Sequence, residues 1–293
     1  MMLVLMFMLM AVAFVPFVMV MMVFVYHGSI HFPSAKVRPP TCNRVAKVAK
    51  NGYLASHNFS ILMKKQAVWC IPCAFFIVAC VLNLIGSVQG TALADTVKPA
   101  LLPLLCATSL AYLLGRDIVV FAPVGLLAAA QLFGFVGDTL LLSEGFPFFA
   151  GGIAAFLIGH LFYMALFGSQ SWKGLSLWQW LISLVVLAAA VLGVVKAIGI
   201  QGELFWPMLI YGFILILLVF SALAGVLRMP RGSRCTWWIL LIGTLLFAVS
   251  DTCLALSIFG KMTFSLRAFL IMFTYLAAQS LLAVGGIRLI LRK

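Results

Sequence analysis

The chain has 293 residues, 65% of them hydrophobic and 9% charged, with a mean hydropathy of +1.23. A soluble domain carries about 25% charged residues, so a water-soluble fold of this size is excluded and the bilayer is the solvent for most of the chain. The net charge of +13 does not point to nucleic acid: the Lys and Arg residues lie beside apolar spans, as they do in cytoplasmic loops, and no nucleic-acid reader motif accompanies them.

The apolar runs are long and continuous, which predicts spanning helices rather than the short alternating strands of a barrel. The first run covers 3–26, and a basic, loop-like stretch follows to 66. Eight further runs cover 68–88, 97–114, 118–142, 147–167, 177–198, 205–227, 236–258 and 266–290. Each is close to the roughly 20 residues that cross a bilayer. Gly and Pro punctuate the connections at Gly145–Pro147, Gly168–Gly174, Gly199–Gly202 and Pro230–Ser233. The expected architecture is an all-α integral membrane protein. Residues 1–66 form an N-terminal apolar helix and basic linker, and residues 67–293 an eight-helix membrane domain.

With the 27–66 stretch in the cytosol, fifteen Lys and Arg residues fall on that side and four, Lys98, Lys196, Lys261 and Arg267, on the other. This bias obeys the positive-inside rule and places the C-terminus in the cytosol. The first run has no basic residue before it and seven after it, the reverse of a secretory signal. It reads as an N-out anchor or an appendage to the core, with a cleaved leader as the alternative. The sequon Asn58-Phe59-Ser60 then stays in the cytosol, unglycosylated. Of seven cysteines, Cys70 and Cys73 have CxxC spacing, but no second pair or His cluster supports it. They read as small packing residues, and neither a metal nor a cofactor is expected.

A repeat is visible inside the core. Val136-Gly137-Asp138-Thr139 matches Val249-Ser250-Asp251-Thr252, and Ala155-Phe156-Leu157-Ile158 matches Ala268-Phe269-Leu270-Ile271, both at an offset of 113 residues. Both Asp-bearing helices run outward from the cytosol, so the repeat is predicted to be parallel, four helices plus four, about an axis along the membrane normal. Such symmetry brings Asp138 and Asp251 face to face.

There are six acids. Asp95, Glu144 and Glu203 are expected in loops outside the membrane, and Asp117 beside Arg116 in a short cytosolic turn; all four read as solvated charges. Asp138 and Asp251 lie well along apolar runs, where a carboxylate costs several kcal/mol or takes up a proton. They are either interhelical hydrogen-bonding groups or the functional pair. His160 lies in Gly159-His160-Leu161-Phe162-Tyr163 and can share a face with Tyr163, three residues on; Tyr275 and Gln279 are spaced i, i+4 on the last helix. Each alone is equally a packing residue. Lys98 precedes Pro99, which suits a helix start, and either snorkels to the headgroups or binds an anion. On this topology Lys98, Asp138, Tyr211, Asp251 and Tyr275 share the non-cytosolic half while His160 and Gln279 come near the midplane, so one pocket is expected.

Two carboxylates in a low-dielectric pocket suit acid–base chemistry: one holds a proton and donates it, the other stays ionised and activates water. Neither a GxSxG elbow nor an HExxH motif occurs, which argues against a serine lipase or a zinc protease. His160 alone cannot hold a metal.

At these residues the chain resembles the lysoplasmalogenase (YhhN-like) family of membrane hydrolases over roughly 68–290. The carriers are Lys98-Pro99, Gly137-Asp138, Gly159-His160-Leu161-Phe162-Tyr163, Tyr211-Gly212, Ser250-Asp251 with Leu254-Ala255, and Thr274-Tyr275-Leu276-Ala277-Ala278-Gln279. Their order and spacing carry the match; each piece is short. Leu276 stands where eukaryotic relatives often have a second Tyr, and residues 1–66 have no counterpart in a typical member. The resemblance implies hydrolysis of the vinyl ether of a lysoplasmalogen, a 1-alkenyl-glycerophosphocholine or -ethanolamine, to a fatty aldehyde and the glycerophospho head group. It also implies the endoplasmic reticulum in animals and the inner membrane in bacteria. On this reading Asp138, Asp251 and His160 are catalytic. Lys98, Tyr163, Tyr211, Tyr275 and Gln279 bind substrate, Lys98 at its phosphate, and the lysophospholipid and membrane lipids are the partners. The rivals are a proton-coupled lipid or small-molecule transporter, a non-catalytic lipid-binding protein, and a related hydrolase such as one that opens epoxides.

Overall fold

The computed structural model describes residues 68–116, 121–172, 204–229 and 231–292, with scattered positions between 173 and 203. The predicted 1–66 segment, its sequon, Cys42, Asp117 and Glu203 lie outside the described residues. Seven long helices are α1 (Cys70–Gln89), α2 (Ala92–Leu114), α3 (Phe121–Leu140), α4 (Phe146–Ser171), α5 (Phe205–Arg228), α6 (Arg231–Ile258) and α7 (Arg267–Ile290). Each is long and apolar enough to cross a membrane. Between α4 and α5 the described positions from Trp178 to Lys196 are also helical, which makes an eight-helix, all-α membrane core, as expected.

The sequence sorts each helix into a lipid face and a protein face. In α1, Ile71, Phe75, Val78 and Leu82 are exposed, while Cys73, Phe76, Cys80 and Leu84 are buried. Both sets recur at helical spacing, and both are apolar because lipid and protein interior make the same demand. Polarity therefore cannot tell the two faces apart, and packing does. Helix α7 is the centre of the bundle. It packs against α6, α1, α2 and α3, and 78% of its most apolar stretch is buried, against 39–50% for the other six.

Two boundaries differ from expectation in ways that matter for the site. Helix α2 begins at Ala92, five residues before the predicted start at 97, and carries both Pro99 and Pro103 in its interior. Each proline removes the N–H that would serve the carbonyl four residues back, a loss that membrane helices tolerate. Lys98 is thus not at the helix start but in the second turn. Asp95, expected in a loop, lies in the first turn, where the helix dipole favours a negative charge. Helix α6 likewise begins at Arg231 rather than 236. Polar groups also pin α1 to α2: the Asn83 side chain donates to the Ala94 carbonyl at 2.8 Å, and Gly86 leaves no room for a Cβ against the Ala94 backbone.

Candidate active site

Asp138 lies in the last turn of α3 and is 3% exposed. A bare carboxylate there is costly, and two donors compensate it. The Lys98 ammonium of α2 stands 3.5 Å from Oδ1. The Tyr275 hydroxyl of α7 donates to Oδ2 at 2.7 Å, an ordinary O–H···O length. Behind Tyr275 the chain of polar groups continues: Gln279 Nε2 lies 3.5 Å from the Tyr275 hydroxyl oxygen, and the Tyr163 hydroxyl of α4 donates to Gln279 Oε1 at 3.0 Å. The i, i+4 spacing of Tyr275 and Gln279 puts both on the face of α7 that meets α3 and α4. Five of the eight residues picked from sequence therefore form one connected network across four helices.

Asp251, on α6, has a different environment. Its Oδ2 accepts a hydrogen bond from the Tyr211 hydroxyl of α5. It lines a small cavity of about 30 Å³ with Phe149, Ile153, Phe156, Met208, Tyr211 and Leu254, room for a water or two but not for a lipid chain. No basic side chain pairs with Asp251 among the described residues.

Aromatic rings join the two clusters. The His160 ring meets Phe247 edge-on at 4.7 Å and Tyr211 at 5.5 Å. Phe247 packs on Tyr275 at 5.5 Å, and Phe156 touches both Phe247 and Tyr275. His160 is 1% exposed, and neither ring nitrogen has a hydrogen-bond partner among the described residues. Among the described residues His160 makes no interhelical hydrogen bond; its contacts are the rings of Tyr211 and Phe247. Tyr211, which it meets edge-on, in turn donates to Asp251.

All eight residues picked from sequence fall in this one interior region. Lys98 faces Asp138 rather than the headgroup level, with 17% of its side chain exposed, so it does not snorkel. Glu144 is exposed at the α3–α4 connection, as expected. Sequence reading missed the ring walls Phe156 and Phe247, which look like any other Phe in an apolar run. It also missed the buried Gln131, whose Nε2 donates to Ser109 at 3.2 Å. The sign that could have found Gln131 is its spacing of seven residues before Asp138, which puts the two on one face of α3. Gly137 earns its place beside Asp138 by contact: a Cβ there would stand 2.8 Å from the Phe156 ring.

This region falls within the stretch that matches a known family model, the YhhN family, over residues 93–286. The chain belongs to the YhhN family. It is also 29% identical over 191 residues to the human lysoplasmalogenase TMEM86B, covering 64% of this chain and 73% of that protein. No solved structure matches it. The matched YhhN stretch runs from the first turn of α2 to the last turns of α7, so it contains every residue of the site. It leaves out α1 and everything before it.

Proposed function

We propose that this YhhN protein is a lysoplasmalogenase: a multi-pass membrane hydrolase that cleaves the vinyl ether of a 1-alkenyl-lysophospholipid. The observation that carries the reading is the pair of interior carboxylates, each held by a named donor and joined through one aromatic wall. Family membership and the similarity to a human protein named as a lysoplasmalogenase support it.

The chemistry follows from the bond. A vinyl ether is broken by protonating its outer carbon, which makes an oxocarbenium ion. Water adds to that ion, and the hemiacetal collapses to a fatty aldehyde and an alcohol. The reaction needs a proton donor, a negative charge to stabilise the cation, and a place for water. Asp138 and Asp251 supply the first two, and the cavity beside Asp251 has room for the third. His160 shapes the wall between them and holds Tyr211 in place. Lys98 serves as the charge partner of Asp138 in this proposal, a change from the phosphate contact that the family resemblance implies. The substrate reaches the site from the bilayer, its alkenyl chain among the Phe and Leu side chains of α4, α5 and α6. The compartment in this reading is the endoplasmic reticulum membrane, or the inner membrane in a bacterial cell.

The test is aldehyde release by the detergent-solubilised protein from a panel of lysophospholipids. The expected result is turnover of the 1-alkenyl lipids, none of the saturated 1-alkyl ethers, and no requirement for a sealed vesicle. A protein that releases no aldehyde but moves a lipid or small molecule across a vesicle wall would be a carrier instead.

A further inference from the structure

The two carboxylates differ in what they can do with a proton. Both oxygens of Asp138 face donors: the Lys98 ammonium at 3.5 Å and the Tyr275 hydroxyl at 2.7 Å. An ammonium can only donate. The groups behind Tyr275 have the same direction, because Tyr163 donates to Gln279 Oε1 and leaves the Gln279 amide N–H to point at the Tyr275 oxygen. The Tyr275 proton is therefore aimed at Asp138, and a carboxyl proton on Asp138 would compete with a donor at either oxygen. Asp251 accepts one hydrogen bond from Tyr211, faces no cation, and its second oxygen has no partner among the described residues. An unpaired charge in a membrane interior is costly, and a free carboxyl oxygen beside a cavity is where a proton sits at least cost.

The partners themselves correspond. The offset that relates Asp138 to Asp251, 113 residues, also relates Lys98 to Tyr211 and the first residue of α2, Ala92, to the first residue of α5, Phe205. Lys98 and Tyr211 each lie in the second turn of the helix that precedes an Asp-bearing helix, and each contacts that Asp. One position thus carries an ammonium in the first half and a phenol in the second.

We propose that the core is a parallel repeat whose halves divide the acid–base work: Asp138, paired with Lys98, is the ionised carboxylate, and Asp251, held by Tyr211, carries the catalytic proton. The assignment rests on the lysoplasmalogenase reading for its substrate. The Asp251 carboxyl proton goes to the outer vinyl carbon; the π pair of the C=C bond forms the new C–H bond, and an oxygen lone pair forms the oxocarbenium. The charge on Asp138 compensates that cation. Water from the cavity bonds its oxygen to the cationic carbon and passes a proton to the Asp251 carboxylate, which restores the donor. The hemiacetal hydroxyl then loses its proton as the C–O bond to glycerol breaks and the glycerol oxygen gains one, so one water is consumed and an aldehyde and an alcohol leave. Lys98 and Tyr211 are positioning residues: they set which Asp holds the proton.

Infrared spectroscopy of the detergent-solubilised full chain at neutral pH, with isotope-labelled Asp, reads this directly. The expected result is a protonated-carboxyl C=O band that survives Asp138→Asn and disappears in Asp251→Asn. Tyr211→Phe keeps both carboxylates and is expected to shift the band to higher frequency by removing its hydrogen bond, whereas Tyr275→Phe leaves it in place. A band that disappears in Asp138→Asn, a band that shifts with Tyr275→Phe instead, or no band in the wild type would each overturn the division. Failure of the wild type to release aldehyde, with the band pattern as expected, would remove the substrate reading and leave the charge assignment standing.

Discussion

Two regions of the bundle meet the same problem, a carboxylate inside a membrane, and meet it differently. The α2–α3 region brings an ammonium to Asp138 and adds Tyr275 from the central helix. The α5–α6 region brings a phenol to Asp251 and leaves a cavity at its side. The first has a donor on each oxygen; the second keeps a free oxygen and space for water. An acid with a donor on each oxygen, one of them a cation, is suited to hold a charge, and an acid with one donor and an open side is suited to give up a proton.

The largest effect that can break this comparison is on turnover. Asp138→Asn and Asp251→Asn are each expected to lower aldehyde release by roughly a hundred- to ten-thousand-fold, the range for a lost acid or charge stabiliser. Either variant working at the wild-type rate would end the two-carboxylate mechanism. Stability separates the regions next. Lys98→Met leaves Asp138 without its cation and is expected to cost about 3–5 kcal/mol, as for a broken buried pair. Tyr211→Phe removes one hydrogen bond from Asp251 and is expected to cost about 1–3 kcal/mol. Thermal unfolding in detergent reads both, and equal losses would remove the contrast. Gly137→Ala pushes a methyl against the Phe156 ring, which lines the Asp251 cavity and touches Tyr275. Overpacking of this kind costs about 1–3 kcal/mol, and turnover should fall with it because the wall serves both clusters. The smallest change is expected for Tyr163→Phe, at the far end of the chain of donors: about 1 kcal/mol, with turnover within a few-fold of wild type. A loss as large as that of Asp138→Asn would mean that Tyr163 does more than orient Gln279.

Much of the candidate site was legible because polar residues are rare in this chain. Asp138, Asp251, Lys98, His160 and Gln279 stand out against apolar runs in which each needs a reason to be there. Tyr163 and Tyr275 were legible through their spacing from His160 and Gln279, and Tyr211 through its depth and the family resemblance. What could not be read were the pairings. The sequence suggests that His160 and Tyr163 work together, because they are three residues apart on α4. In the structure Tyr163 bonds Gln279 on α7, while His160 packs against rings from α5 and α6. Pro99 suggests a helix start at Lys98, but Asn83 and the close approach at Gly86 tie the preceding turn of α2 to α1, so the helix runs through the proline.

By itself the sequence determined that this protein crosses a membrane as a helical bundle, since chain length and hydrophobicity leave the backbone no other way to satisfy its hydrogen bonds in lipid. It also determined which few side chains would be costly inside. Tertiary structure decided the rest: that α7 is the central helix, that Lys98 turns inward onto Asp138, and that Tyr211 rather than His160 holds Asp251. The physical reason is that lipid and protein interior are equally apolar, so composition cannot say which face of a helix meets a neighbour. Only the packing of one helix against another chooses the partner of each buried charge.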